Sequence, residues 1–96
     1  MEENLDRIVK ANGEVIEISP KNGTDYTLEE LQNVVQGYIE IVSATSSNEI
    51  MVLNEEGRLE DLPFNFEATC WMKNSTNITN DYVVGDVLIC DKNHVK

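Results

Sequence analysis

The chain has 96 residues, 41% of them apolar, with eighteen acids against seven bases and a net charge of −11. That length supports one small core. The charge disfavours direct binding to bare duplex DNA or RNA, which needs clustered Lys and Arg to displace counterions. No apolar run approaches the ~20 residues that span a bilayer, and the acidic start "MEENLDRIVK" lacks the apolar stretch of a signal peptide, so a cytoplasmic protein with no membrane contact is expected.

The segment "LDRIVKANGEVIEIS" reads as a β-hairpin turning at Asn12-Gly13, a dipeptide that accepts the positive φ of a tight primed turn. Its return arm has strand character at Val15, Ile16 and Ile18, while the first arm, residues 5–11, reads as a strand or a short helix. The loop "SPKNGTDY" follows. Thr27 then stands three residues before Glu30 as a capping box, and Leu28, Leu31, Val34 and Val35 recur at helical spacing. Gly37 is expected at the helix C-terminus in the left-handed conformation.

A strand begins at "GYIEIVSA", with Ile39 and Ile41 on one face and Tyr38, Glu40 and Val42 on the other. After a turn at residues 45–48 comes "EIMVLN", whose uninterrupted apolar run Ile50-Met51-Val52-Leu53 predicts burial on both faces. In "LPFNFEATCWMK", Asn65 is the expected N-cap of a second helix. The last strand is "YVVGDVLICD", interrupted at Gly85-Asp86 by a bulge or turn, and residues 92–96 read as a flexible tail. The order ββαββαβ predicts a single α+β domain over 1–96, a mixed or antiparallel sheet of about five strands with its two helices against one face.

Catalytic and metal chemistry find little support in the residue pattern. His94 is the only histidine and stands at the chain end, far from a structured Cys–His pair, and no carboxylate spacing matches a calcium or zinc site. The expectation is a protein that is not an enzyme and carries no cofactor. Cys70 and Cys90 are expected as two buried free thiols. The Asn-x-Thr/Ser matches at Asn22, Asn74 and Asn77 are chance matches in polar loops.

Two groups could contact a partner. Lys21 and Asn22 precede a helix N-terminus whose amides favour anions, although the capping box and Asp25 argue for a self-satisfied junction. Arg58, Asn65 and Thr69 lie around the start of the second helix and are candidates for a small polar ligand or a partner backbone, unless they only cap and orient that helix.

The segments "LQNVVQGYIEIV", "NEEGRLEDLPFNFEAT" and "VVGDVLIC" resemble a family of small uncharacterised proteins encoded by phages and mobile elements. The shared pattern runs through Gly37, Tyr38, Ile39 and Glu40, then Asn54 to Gly57, then Leu62, Pro63, Asn65, Ala68 and Thr69, then Gly85 and Asp86, over about three quarters of the chain. Gln36 departs from it, standing where glycine is common. The resemblance implies no catalytic chemistry. It implies an accessory protein, with counter-defence or host takeover as the expected role: an acidic binder that inhibits a host nucleic-acid-handling protein such as a nuclease. The alternative is an oligomeric sponge that sequesters a small nucleotide-type signal through Lys21, Asn22, Arg58, Asn65 and Thr69.

Overall fold

A computed structural model describes residues 5–95. The chain runs β1 (Arg7–Val9), β2 (Val15–Glu17), α1 (Leu28–Val35), β3 (Ile39–Ser43), β4 (Glu49–Asn54), α2 (Phe66–Ser75) and β5 (Val87–Asp91), then a 3-10 turn at Lys92–His94. The five strands form one sheet in the order β2-β1-β5-β4-β3, antiparallel throughout. The expected α+β fold and element order are what the chain adopts.

One local alternative is settled and two local expectations change. The segment 5–11 contributes a strand, and the hairpin loop holds three residues, because Lys10 N–H donates to the Glu14 carbonyl and only Gly13 takes positive φ. A three-residue loop with glycine at its last position is the next hairpin class after the two-residue turns. At the end of α1 the left-handed residue is Gln36, φ 61°, and not Gly37. Gly37 is required for a different reason: a Cβ there would come within 2.7 Å of the Asn54 side chain, which donates to the carbonyl of Val35 and so caps the helix from β4.

The helices lie on opposite faces of the sheet, not on one. Strands β4 and β5 occupy the middle and alternate between two cores. Met51, Val87 and Ile89 pack with Val9, Ala68 and Met72 under α2. Ile50, Val52, Leu88 and Cys90 pack with Tyr26, Leu31 and Val35 under α1. An apolar run inward on both faces needs cover on both, and two helices supply one each.

The residues expected as a flexible tail are tied down as far as 95, with 96 outside the described residues. The Lys92 amide donates to Asn48 O, and Tyr26 N–H donates to His94 O at 2.8 Å. The His94 ring meets Asp6. The final strand does break at Gly85, which has φ 78°, and pairing resumes at Val87 after Asp86 accepts a hydrogen bond from the Ala11 amide.

Candidate functional site

The five candidate residues do not converge. Asn65 is fully buried. Its Oδ1 accepts from the Ala68 amide as the N-cap of α2, and its Nδ2 donates to the carbonyls of Val9 and Gly85 at 2.9 and 2.8 Å. Thr69 is buried one turn later; its hydroxyl donates to Asn65 O and accepts from the Val83 amide. Both side chains are consumed in joining α2 to the sheet and to the segment before β5, the reading that makes them helix-orienting residues. Asn22 is also spent locally, its Oδ1 accepting from the amides of Thr24 and Asp25. Lys21 lines a shallow hollow with Thr27, Glu29, Glu30 and Asn33, which does not include Asn65 or Thr69. The loop is a strand-to-helix junction: Thr27 accepts from the Glu30 amide, and the Glu30 carboxylate accepts from the Thr27 amide at 2.8 Å. That backbone donor holds the Glu30 carboxyl below its usual range.

Arg58 faces solvent. Its guanidinium bonds the Asp81 carboxylate and the carbonyl of Tyr82, and lies 4.2 Å from the centroid of the Tyr82 ring. The Phe64 ring leans on Tyr82 at 6.2 Å, held there by the bridge between Phe64 and Val84. Leu59, Phe64, Phe66 and Tyr82 are all largely exposed, Leu59 at 85% and Phe66 at 64%. This aromatic surface around a stacked arginine was not legible beforehand, because Leu59 and Tyr82 are separated by a helix and a loop in sequence. A cleft of about 300 Å³ opens beside it, with Val42, Leu53 and Met72 among its lining and Glu40, Glu55, Glu56 and Asp81 contributing carboxylates. Among the described residues Glu40, Glu55 and Glu56 have no ion-pair partner.

A second cluster joins both ends of the chain. The buried Asp6 carboxylate accepts from the Tyr26 hydroxyl at 2.8 Å and the Asp91 amide at 3.0 Å, and meets His94 Nδ1 at 2.5 Å. Burial first, then the hydrogen bond and charge of Asp6, push the Tyr26 hydroxyl far above its ordinary range. Burial first, then Asp6, Asp91 and Glu49, push the Cys90 thiol up to about 12. Asp6 and His94 stand 88 residues apart, so no local spacing announces the pair. Asp6, Asp91 and His94 border an open hollow of about 520 Å³. With the Tyr26 hydroxyl, the Asp91 amide and the His94 ring gathered on one carboxylate, the cluster acts as a tie between β1, the loop before α1 and the 3-10 turn. Among the described residues no group of His, Cys, Asp and Glu is arranged to hold a metal ion, and no helix is long and apolar enough to cross a membrane.

No curated protein and no solved structure matches the chain. The family described as "Domain of unknown function (DUF3846)" matches residues 7–95, which take in the whole sheet, both helices and the segments that carry the aromatic surface and its cleft, and the chain belongs to that family.

Proposed function

We propose that the protein is a non-enzymatic, stoichiometric binding factor of a phage or mobile element, acting in the host cytoplasm on a basic, nucleic-acid-handling host protein. The observation that carries this reading is the exposed aromatic surface of Phe64 and Tyr82 around Arg58, bordered by Glu55, Glu56 and Asp81. Aromatic and arginine side chains are the anchors that dominate protein interfaces. The carboxylates at its border, on a chain of net charge −11, steer a basic surface toward it and oppose an acidic one. Carboxylates set where a partner expects phosphates would block nucleic acid from that partner. The nucleotide-sponge alternative loses support, since Asn22, Asn65 and Thr69 spend their polar atoms within the fold.

The test is capture from host lysate by the immobilised protein, with the captured protein identified and purified. Its binding is expected to weaken at least about tenfold in the double variant Phe64→Ala, Tyr82→Ala, in line with interface anchors worth about 2 kcal/mol or more. Duplex DNA is expected to compete, and added salt to slow association. A partner whose affinity is unchanged by that variant, and also by charge reversal of Glu55 and Glu56, sinks the reading.

A further inference from the structure

Strand β3, at one edge of the sheet, has no strand beyond it among the described residues. Tyr38 O accepts from the Glu55 amide and the Ala44 amide donates to Glu49 O, so residues 38, 40, 42 and 44 turn their backbone groups toward β4. By strand alternation, Ile39, Ile41 and Ser43 turn N–H and C=O outward. Those groups have no hydrogen-bond partner among the described residues. Edge strands are normally guarded by lysine, proline, a bulge or covering chain. Here the guard is a single charge, Glu40, flanked by the exposed Tyr38 and Ile41. The opposite edge, β2, offers only three residues.

Glu40 and Val42 point to the α2 side of the sheet and line the 300 Å³ cleft with Leu53, Met72, Glu55 and Glu56. A strand added beyond β3 would direct the side chain paired with Glu40 over that cleft. There it meets an apolar stem-binding surface and three carboxylates without ion-pair partners. The matching side chain has an aliphatic stem and a cationic head. A second copy of the chain is disfavoured, because it would bring another −11 against the first.

We propose that the free edge of β3 receives an extended basic segment of the protein partner as a sixth, antiparallel strand, with a lysine or arginine of that segment seated over the cleft against Glu40, Glu55 and Glu56. This rests on the reading of the protein as a binder of a basic protein and names how that partner is held: main-chain bonds give affinity, and alternate side chains give selectivity.

The probe is a blocked octapeptide of alternating lysine and valine. With lysine opposite Glu40 in an antiparallel pair, the valine amides face β3 and the lysine amides face away. N-methylation of the valines is therefore expected to weaken binding at least about tenfold, and N-methylation of the lysines to leave it within about twofold. Bound peptide is expected to slow amide exchange at Ile39, Ile41 and Ser43, and Glu40→Lys to weaken binding at least about tenfold. No binding at about millimolar peptide, equal effects of the two methylation patterns, or protection elsewhere overturns the proposal. The contrast between methylated peptides needs no altered protein, so misfolding of a variant does not blur it. The peptide carries no aromatic anchor. A partner captured through Phe64 and Tyr82 while the β3 amides stay unprotected therefore removes the edge proposal and leaves the proposed function standing.

Discussion

Asn65 shows how one side chain can substitute for missing secondary structure. It caps α2, and its two N–H groups satisfy carbonyls at the end of β1 and just before β5. Asn65→Ala strands two buried acceptors and a helix amide, at about 1–3 kcal/mol for each unsatisfied group and with partial relaxation. A loss of about 3 kcal/mol is expected in urea unfolding, with Asn65→Asp comparably poor because a carboxylate cannot donate. Cys90 sets a different boundary. Its thiol is held up to about 12, so it stays neutral where an unfolded chain's thiol ionises. Its contribution to stability is complete below the unfolded value, about 8.5, and is lost as pH rises from there through the folded value. Native Cys90 is expected to resist thiol reagents near neutrality until the protein unfolds, and half-buried Cys70 to react first; a Cys90 rate equal to that of Cys70 would contradict this. The cap at Asn65 was legible in sequence. Its reach to Val9, 56 residues away, was not, since no local pattern encodes which distant carbonyls lie within bonding distance.

At the scale of single elements, α1 carries its own start and borrows its end. The capping box was readable from Thr27 and Glu30 because both partners lie within one turn. Because Glu30 has a lowered pKa, its contribution is present above the unfolded carboxyl value and lost as pH falls through the folded one. Acid titration of Glu30→Gln and the parent should therefore show the two converging in stability at low pH, the parent alone losing the capping contribution on the way. The helix end was misread because the left-handed position falls on Gln36, one residue before the glycine. A left-handed non-glycine residue costs about 1–2 kcal/mol, partly offset by glycine's greater chain entropy. Gln36→Gly should therefore raise stability by about 0.5–1 kcal/mol, seen as a thermal midpoint higher by several degrees. Gly37→Ala should do the reverse, since its new Cβ collides with Asn54.

For the whole molecule, the two-sided core was written in the run Ile50-Met51-Val52-Leu53, and placing both helices on one face was inconsistent with it. The Asp6 tie and the aromatic surface stayed hidden because each joins segments that only the topology makes neighbours. Net charge acts at this scale too. At −11 the folded chain repels itself, and salt shortens the range of that repulsion from about 10 Å at 0.1 M to about 3 Å at 1 M. Thermal midpoints are expected to climb by a few degrees as sodium chloride is raised over that range; a falling midpoint would mean that pairs such as Arg7–Glu49 outweigh the repulsion.

The placement of β5 governs how the fold can be assembled. It lies between β1 and β4, strands that come earlier in the chain and do not touch one another across the sheet. Before residues 87–91 are available, there are two separate ribbons, β1–β2 and β3–β4, each a two-stranded unit of marginal stability in water. Insertion of β5 closes both cores in one event, because its successive side chains serve opposite helices. A ribosome making this chain thus emits β1 through α2 before the sheet can close, and the free edges wait in the open until the keystone arrives.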